Sequence, residues 1–564
     1  MQIHKIGVVS RTYRHINRYR QILTILFKYG FGDLVDRLHV GQYLEIGLQM
    51  ISRSRRERVE KLTRSERVRT VFEELGPTFI KLAQILSTRP DLIPPEFAQE
   101  LAKLQDQVPP FPFSQVREIV EAELKAPLEK KFQHFQEAPL AAASIGQVHR
   151  ARLQSGEEVV VKVQRPGIRD LIEVDLEILL HMATLIERHV EELGIQRPTR
   201  IVEEFARILE KEIDYTVEAY HTERFARQFL GHDTIYVPRI YREATTERIL
   251  TMEYIPGVKA SEVAILDQQG FDRKIIASRG ADLILEQVFQ YGFFHADPHP
   301  GNVFILPGNV ICYLDFGMMG SVDRQARENF ADLVFGYLRR DESKVVQALL
   351  KIVEWDKEPD RRALERDIDD FIGAYLYKPL KELRIASLLA KLLALITRHR
   401  LRLPADIFLM IKAMSAVEGV GVLLDPDFEM IEKATPFIRR IKMERLNPKR
   451  IIGEFLESGG DLLQLLKEIP GEVGDILRQI KQGKVKIGFE HQGLENFTFH
   501  IDRSSNRVAF ALIISSLIIG SSLIVRTHIG PILFGLPILG LLGFTIAGIF
   551  AIGLLISILR SGRL

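Results

Sequence analysis

Two long apolar stretches near the end of the chain stand out in the pattern of hydrophobic and polar positions. Residues 508–525 and 532–559 contain no charged side chain, which gives runs of 18 and 28 residues. About 20 apolar residues in a helix cross the ~30 Å hydrocarbon core of a bilayer. Arg526, Gly530 and Pro531 interrupt the pattern between the runs. The pattern predicts a two-helix transmembrane hairpin; a buried core hairpin of a soluble protein is the alternative.

Basic residues around these runs predict the orientation of the hairpin. Arg503 and Arg507 precede the first run, Arg560 and Arg563 follow the second, and the connection carries only Arg526. Basic residues concentrate on the cytoplasmic side of a membrane. Both ends of the hairpin, and the bulk of the chain before it, are therefore expected in the cytoplasm.

Small residues recur in both runs, at Ser516, Gly520, Gly540, Gly543, Gly548 and Gly553. They allow helices to approach closely, within one chain or between two copies. A homodimer through the hairpin is one interpretation. The other is that glycine is simply common in membrane helices.

Apolar residues at spacings of three and four predict helices after residue 320. The segments with this spacing are 330–337, 345–352, 386–396 and 407–422. Helical spacing also predicts an inserted helical stretch at 171–193. Apolar and polar residues alternate instead between 484 and 502, which predicts a short β-ribbon before the membrane.

The first 70 residues are basic and partly amphipathic. Arginines cluster at Arg11, Arg14, Arg18 and Arg20 and again at Arg53, Arg55, Arg56 and Arg58. Apolar residues between 16 and 38 have near-helical spacing, which suits a helix on an anionic lipid surface. A basic helix packed on the main domain fits equally well. Because the first 32 residues contain no acid, an organelle transit peptide is a third alternative.

Composition excludes several classes of protein. Of the 564 residues, 46% are hydrophobic and 27% charged, so collagen-like and wholly disordered chains are excluded. The formal net charge of +2 gives no chain-wide field for nucleic acid, and no nucleic-acid partner is expected. The single cysteine, Cys312, excludes an intrachain disulfide and a thiolate metal cluster, which suits a reducing compartment.

A lysine stands inside an apolar strand at 158–163, which reads Glu-Val-Val-Val-Lys-Val. A buried Lys162 is costly unless an anion neutralises it. Phosphate oxygens and a helix glutamate are the expected partners. An edge-strand lysine that reaches solvent is the alternative.

Two later segments carry oxygen ligands. Asp297 and Asn302 lie five residues apart in a stretch broken by prolines and a glycine, so they are expected on one loop. Asp315 ends an apolar strand and is followed by Phe316 and Gly317. An acid at a strand exit can offer a hard ligand to Mg²⁺ beside phosphates. The order of lysine, loop and aspartate predicts one magnesium–nucleotide site.

With these segments the chain resembles the protein-kinase-like superfamily and, within it, the UbiB family of atypical kinases associated with ubiquinone. The lysine strand, the D-x-x-x-x-N loop and the D-F-G turn of that superfamily stand here as Lys162, Asp297 to Asn302 and Asp315 to Gly317. Family-specific motifs add to the resemblance: an alanine-rich loop at 139–149, a K-x-G-Q-like motif at 79–84 and an E-x-D motif at 212–214. The resemblance is strongest from about Leu75 to Leu350.

The resemblance implies a role for each motif residue. Lys162 is expected to hold the phosphates, Asn302 and Asp315 to hold Mg²⁺, and Asp297 to orient water or a hydroxyl. The acid paired with Lys162 is expected to be Glu218, with Glu212, six residues earlier, as the competitor.

The nucleotide itself has two further expected contacts. Ala142, Ala143 and Ser144 stand where ordinary kinases have a glycine-rich loop, and alanine does not reach positive φ cheaply. A stiffer phosphate cover with Ser144 as a donor is expected, and a turn or helix start without catalytic role is the alternative. The strand that ends at Met252, Glu253 and Tyr254 is expected to pair with adenine, or else to be a plain connection.

A regulatory helix is implied by the K-x-G-Q-like and E-x-D motifs, whose residues here are Lys81, Gln84, Glu212 and Asp214. In the family this helix folds over the cleft, where Lys81 would meet an acid such as Glu212. A solvated helix charge is the alternative. Ala83 stands in place of the motif glycine, which favours the helix but removes close backbone approach.

The expected fold is α+β: a protein-kinase-like bilobal fold with an N-terminal helical extension and a C-terminal two-helix transmembrane hairpin. The expected domains are a basic N-terminal region at 1–70, the helical extension at 71–135, a kinase-like N-lobe at 136–255, a helical C-lobe at 256–440, a helical and ribbon region at 441–506, and the hairpin at 507–564.

The expected function is a membrane-anchored atypical kinase or ATPase that binds ATP and Mg²⁺ and supports ubiquinone biosynthesis at the bacterial inner membrane. Anionic lipid, quinone precursors and ubiquinone-biosynthesis enzymes are the expected partners, and the ubiquinone link comes from the resemblance alone. A lipid or small-molecule kinase would use the same residues, and His299 in the loop resembles such kinases. A scaffold switched by nucleotide without catalysis is the other alternative.

Overall fold

The computed structural model describes residues 8–32, 62–87, 93–104, 108–189, 198–339, 341–355, 358–375, 384–445, 494–527, 531–533 and 536–560. The chain divides into two compact units, Met1–Ile452 and Gly453–Leu564. The basic cluster from Arg53 to Arg58 lies outside the described residues, as does the part of the expected ribbon before residue 494.

Within its described residues, the first unit begins with four helices: α1 (Val8–Lys28), α2 (Arg64–Leu75), α3 (Pro77–Ser87) and α4 (Pro95–Leu101). A capping box starts α2, because Thr63 and Glu66 each bind the other's backbone N–H through their side chains. Gly76 ends α2 with a φ of 95°, and Pro77 begins α3.

The apolar side of α1 packs inside the unit. Ile22 and Ile25 are buried in one cluster with residues of α2 and α3. Arg18 donates to both carboxylate oxygens of the fully buried Asp175, at 2.7 and 2.9 Å. For the described part of α1, the structure therefore shows the packed basic helix, the second of the three alternatives.

An antiparallel sheet follows α5 (Phe113–Leu124) and α6 (Leu128–Lys131). Its first strands are β1 (Phe132–Phe135), β2 (Ala141–Ala142), β3 (Gly146–Leu153) and β4 (Glu158–Gln164). Both β1 and β2 pair with β3, which pairs with β4. Val159, Val161 and Val163 are buried against α5. Because successive side chains alternate in direction, Lys162 lies on the opposite face.

The helices described before the last strand of this sheet are α7 (Ile168–His189), α8 (Pro198–Glu212) and α9 (Tyr215–Gln228). The expected insert is helical from residue 171 to His189. The chain continues through β5 (Ile235–Tyr236) to β6 (Ile249–Glu253), and β6 pairs with β4 as the fifth strand.

A second sheet positions the loop segments. It contains β5, β7 (Val258–Lys259), β9 (Val303–Leu306) and β10 (Val310–Tyr313), in the order β5-β10-β9-β7. Helices α10 (Val263–Gln268) and α11 (Arg273–Leu285) follow β7, and a π-helical turn, Glu286–Tyr291, extends α11. The strand β8 (Phe293–His295) pairs with β11 (Met319–Ser321).

Six helices complete the described part of the first unit: α12 (Arg324–Arg339), α13 (Glu342–Ile352), α14 (Arg361–Tyr375), α15 (Ile385–Arg398), α16 (Ala405–Leu424) and α17 (Met430–Arg445). Their apolar faces share one buried cluster with α11. All four helical segments predicted after residue 320 are confirmed.

The second unit contains α18 (Leu494–Thr527), the paired strands β12 (Ile532–Leu533) and β13 (Leu536–Pro537), and α19 (Ile538–Arg560). The two helices pack against each other, since a Cβ on Gly543 would overlap the hydroxyl of Ser521. By length and apolar composition, Val508–Arg526 is long enough to cross a membrane, whereas Ile538–Leu554 is a shorter apolar helix. Ala405–Leu424 passes the same test but is mostly buried in the first unit.

Two predictions for this unit are wrong. The expected ribbon is helical from residue 494 to residue 502, because Leu494, Phe497 and Ile501 also fit helical spacing. The second helix begins at Ile538 and not at residue 532. Pro537 explains the later start, since proline disfavours helical conformation in the residue before it.

Candidate functional site

Lys162 and Glu218 form an ion pair between the first sheet and α9. The Nζ of Lys162 lies 2.8 Å from Oε2 and 3.2 Å from Oε1 of Glu218. Glu218 stands in the first turn of α9 with 5% of its side chain exposed. Of the two acids that the sequence offered, Glu218 is the one that lies against Lys162, and Glu212 lies against another lysine.

Burial and charge oppose each other at this pair, because burial favours the neutral form of an ionisable group. Burial raises the pKa of Glu218, and Lys162 opposes the rise. Burial also acts to lower the pKa of Lys162, but the carboxylates of Glu218 and Asp315 outweigh it and hold that pKa well above its ordinary value. Lys162 is therefore a cation at neutral pH, which is the form that binds phosphate oxygens.

The hairpin of β9 and β10 brings Asn302 and Asp315 to the same end of the second sheet. Val303 pairs with Tyr313 in this hairpin. The N–H of Leu314 donates to the carbonyl of Asn302 at 3.1 Å. Asn302 thus precedes β9 and Asp315 follows β10, at the same end of the hairpin.

Asp315 is held in its ionised form. Burial acts to raise its pKa, but Lys162 and the N–H of Gly317, 3.0 Å from Oδ1, outweigh burial and the pKa is lowered. A carboxylate beside an amide oxygen is a ligand set that Mg²⁺ accepts together with phosphate oxygens. Asn302 and Asp315 therefore fit a magnesium–nucleotide complex.

His295 connects the loop of Asp297 to Asp315. Its Nε2 is hydrogen-bonded to the carbonyl of Asp315, and its Nδ1 accepts the N–H of Asp297 at 3.2 Å. Because a carbonyl only accepts, the proton is on Nε2 and the ring is neutral. Burial lowers the pKa of His295 despite the two nearby carboxylates. His295 was not among the predicted site residues, although it stands two residues before Asp297.

Asp297 also contacts a helix that is distant in sequence. Its Oδ1 lies 3.1 Å from the Nζ of Lys412 on α16. The sequence pattern does not single out Lys412, because the spacing of apolar residues in α16 indicates only a core helix. The available signal was a lysine in the middle of that apolar pattern.

The alanine-rich segment forms a β-hairpin in which β2 pairs with β3. Ala142 is the last residue of β2, and the N–H of Ala143 donates to the carbonyl of Gly146 at 2.8 Å. Ser144 is buried in the turn. A Cβ on Gly146 would lie 2.5 Å from the carbonyl oxygen of Val163, so this close approach requires glycine. The segment is a strand and turn, and it is not the start of a helix.

Strand β6 leads into the three residues expected at the adenine: Met252, Glu253 and Tyr254. The N–H of Glu253 donates to the carbonyl of Arg239 at 2.9 Å, and that of Tyr254 to the carbonyl of Glu158 at 3.0 Å. These two donors are therefore engaged inside the protein. The next backbone N–H along the chain is that of Ile255, and Pro256 after it has none.

Helix α3 lies beside this site. Lys81 forms an ion pair with Glu212, the last residue of α8, with 14% and 23% of the two side chains exposed. Burial acts to raise the pKa of Asp315, but the pKa is lowered overall, most by Lys162 and in smaller part by Lys81. The charge of Lys81 thus favours the ionised form of Asp315, the group expected to hold the metal.

Asp214 and Ala83, in the same two motifs, have structural roles. Gln84 lies half-buried one turn after Lys81. Asp214 caps α9 by accepting the N–H of Thr216 at 2.9 Å. Ala83 is fully buried in a cluster with Leu101 of α4. Its methyl group therefore fills the packing between α3 and α4.

A strand lysine held by a helix glutamate, next to an Asn and Asp at one hairpin, defines a protein-kinase-like domain. Residues 103–349 match the ABC1 atypical kinase-like domain, residues 368–429 the UbiB helical domain, and residues 492–560 the ABC1/UbiB kinase-like C-terminal domain. The chain belongs to the UbiB/ABC1 family of atypical kinases.

Relatives match over most of the chain. An uncharacterised protein from the hydrogenase 1 5′ region of Clostridium pasteurianum is 33% identical over 97% of this chain and 100% of its own. The "Probable protein kinase UbiB" of Aeromonas hydrophila is 34% identical over 83% of this chain and 87% of its own. The chloroplastic "Protein ACTIVITY OF BC1 COMPLEX KINASE 7" of Arabidopsis thaliana is 38% identical over 73% of this chain and 60% of its own.

Proposed function

We propose that this protein binds MgATP between Lys162 and the Asn302–Asp315 pair and transfers the γ-phosphoryl group to water or another small nucleophile. The observation that carries the proposal is the Lys162–Glu218 ion pair, which lies within the electrostatic reach of Asp315. The pair supports the proposal because it holds a cation within electrostatic reach of Asp315, and phosphoryl transfer needs a cation next to the ligands of the metal.

Each residue then has a defined part in the reaction. Lys162 donates hydrogen bonds to the α- and β-phosphate oxygens, and Asn302 and Asp315 would hold Mg²⁺, which neutralises phosphate charge. Asp297 accepts the hydrogen bond of the attacking water or hydroxyl and takes its proton. The new oxygen–phosphorus bond forms as the bond from the γ-phosphorus to the bridging oxygen breaks, and ADP leaves.

The ion pair of Lys81 and Glu212 supports a small acceptor. This ion pair ties α3 to α8 within electrostatic reach of Asp315, and α3 in that place would obstruct the hydroxyl of a protein substrate. Gln84 and Asp214 contribute through the placement of α3 and α9. Water needs the least room beside α3 and is therefore the acceptor that we propose first.

We also assign the protein to the bacterial inner membrane, with α18 and α19 crossing it. Leu512, Ile519 and Ile549 are each about 60% exposed, and lipid would cover these side chains. The basic residues at both ends of the helix pair favour cytoplasmic ends. Among the described residues, a Cβ added to Gly520, Gly548 or Gly553 would meet no atom outside its own helix turn within 4 Å, so these positions have room for a second copy to approach.

The biological role that we propose is support of ubiquinone biosynthesis. It rests on the family and on relatives named UbiB. Quinone precursors, the enzymes that modify them and anionic lipid are the proposed partners.

Turnover by the full-length protein tests the proposal. Purified protein is incubated with MgATP in cardiolipin-containing liposomes, with and without a quinone-precursor mimic, and released phosphate and phosphorylated lipid are measured. Release of phosphate supports the ATPase, whereas a phosphorylated lipid product supports the lipid kinase. If Asp297→Asn supports growth that depends on ubiquinone while Asp315→Asn does not, the nucleotide-switched scaffold replaces both.

A further inference from the structure

Helix α16 carries Lys412, which contacts Asp297 in its loop. The Nζ of Lys412 lies 3.1 Å from Oδ1 of Asp297, and the two side chains are 22% and 42% exposed. The neighbours of Lys412 in the helix, Ile411 and Ala413, are buried. Because α16 packs on α11 and on β11, which pairs with β8 just before the loop, the backbone that carries Lys412 is fixed relative to Asp297.

The loop has no lysine or arginine of its own between Asp297 and Asn302. His299 turns back on the loop, since its Nδ1 accepts the N–H of Gly301 at 3.1 Å. The ring of His295 spans Asp297 and Asp315 through backbone groups. The cation that contacts the Asp297 carboxylate in the described structure is therefore the one on α16.

We propose that Lys412 is the positioning residue for Asp297, which rests on the function proposed above. A partly exposed aspartate rotates between staggered side-chain conformations. An ion pair from a rigid helix holds one of its oxygens and directs the other at the attacking water or hydroxyl. The helical domain that carries α16 thereby completes the catalytic loop of the kinase-like domain.

A purely structural ion pair is the competing explanation. It predicts that loss of Lys412 lowers the stability of the fold and leaves kcat unchanged. Pairs exposed to this degree contribute little to stability. Loss of Lys412 should therefore leave folding and nucleotide affinity nearly unchanged, and should act on the chemical step through Asp297 alone.

The test measures MgATP turnover and thermal unfolding of the full-length protein in detergent. We expect Lys412→Met to lower kcat at least ~10-fold with KM for ATP within ~3-fold, as for loss of an interaction made in the transition state. Lys412→Arg, which keeps the charge, should recover most of kcat. The matched control is Lys433→Met on α17, whose lysine bonds Ser278 at 2.6 Å and faces Asp282 at 3.8 Å; it should behave like the wild type.

A double-mutant cycle decides whether Lys412 acts through Asp297. The double variant with Asp297→Asn and Lys412→Met should be no slower than Asp297→Asn alone, because contacting residues that act together are not additive. Fully additive losses, or a kcat in Lys412→Met equal to that of the wild type, would overturn the inference. Should Lys412→Met not fold, Lys412→Gln takes its place in the cycle. If the wild-type protein turns over no ATP, the proposed function itself is contradicted. If the wild type is active and Lys412→Met is equally active, only the inference about Lys412 fails.

Discussion

Lys162 and Glu218 are 56 residues apart in the chain, yet the lysine Nζ lies 2.8 Å from the glutamate Oε2. The sheet and α9 are thereby joined at the point where phosphate is expected. The pair orients the lysine, and it leaves about a quarter of the Lys162 side chain exposed to a ligand.

Loss of the Glu218 carboxylate should strongly reduce the turnover of MgATP. In Glu218→Gln the lysine loses its charged partner in a largely buried position, which costs several kcal/mol when the pair is buried. We expect kcat/KM for MgATP to fall roughly 100-fold. Steady-state phosphate release measures this.

The control for this prediction is Glu223→Gln on the same helix. Glu223 pairs with Arg242 at 2.7 Å, and both side chains are about a third to a half exposed. Such surface pairs contribute at most about 1 kcal/mol, so turnover should stay within ~3-fold of wild type. Equal losses in the two variants would contradict the role of Glu218.

The ion pair of Lys81 and Glu212 should hold α3 in place. In Lys81→Glu two acids would face each other, and the amide hydrogens of α3 should exchange at least ~10-fold faster because the helix opens locally. Hydrogen exchange followed by mass spectrometry measures this. Adding Glu212→Lys restores an opposite pair and should restore protection.

Lys103→Glu serves as the control for α3. Lys103 faces Glu100 at a position where 62% of the lysine side chain is exposed, so exchange in α3 should not change. If the Lys81→Glu and Glu212→Lys double variant exchanges as fast as Lys81→Glu, the ion pair is not what holds the helix.

His149 predicts a dependence of stability on pH. The ring is fully buried, with Nδ1 donating to the carbonyl of Gln136 and Nε2 accepting from Gln147, each at 2.9 Å, so it is neutral. Burial lowers the pKa of His149. In the unfolded chain the ring of His149 takes up a proton near pH ~6.5, whereas in the folded chain it stays neutral at this pH. The free energy of unfolding therefore falls as the pH drops below this value.

One such histidine contributes up to ~1.4 kcal/mol per pH unit. His149→Gln should reduce the slope of stability against pH between neutral and mildly acidic conditions without abolishing it, because burial lowers the pKa of His221 and His295 as well. Denaturant unfolding at several pH values measures the slope. His134→Gln on β1 changes an exposed ring and should leave the slope unchanged; a slope that is the same in both variants contradicts the assignment.

The contact between α18 and α19 should depend on one glycine face. A side chain on Gly543 would overlap Ser521, whereas Gly548 has open space around it. Gly543→Leu should destabilise the helix pair by about 1–3 kcal/mol, as overpacking does. Thermal unfolding in detergent, followed by circular dichroism, measures the effect, and Gly548→Leu is the control. A larger effect at Gly548 would mean that the other face holds the helices.

The sequence was most informative where one short segment carries one function. Local pattern alone predicts the strand that carries Lys162, the position of Asp315 after a strand, and the loop that carries Asp297. Together these three features predict a site without knowledge of the packing. The choice of Glu218 over Glu212 needed the resemblance, since both acids stand near the start of α9 and local pattern does not tell them apart.

Contacts between distant segments were not predictable. Lys412 meets Asp297 because α16 packs against β11, and nothing in the sequence of either segment records that packing. Arg18 and Asp175 are a second example. At 494–502 the apolar residues fit both the spacing of a strand and the spacing of a helix. The structure has a helix there, continuous with the apolar run that follows.

The central claim is that Lys162, Asn302 and Asp315 surround one magnesium–nucleotide complex. Equilibrium binding of ATP to the full-length protein, with and without Mg²⁺, tests it most directly when wild type, Asp297→Asn and Asp315→Asn are compared. We predict that Mg²⁺ strengthens binding to wild type and to Asp297→Asn, and that Asp315→Asn loses this strengthening because a ligand of the metal is gone. Binding of MgATP to Asp315→Asn as tightly as to wild type would contradict the account.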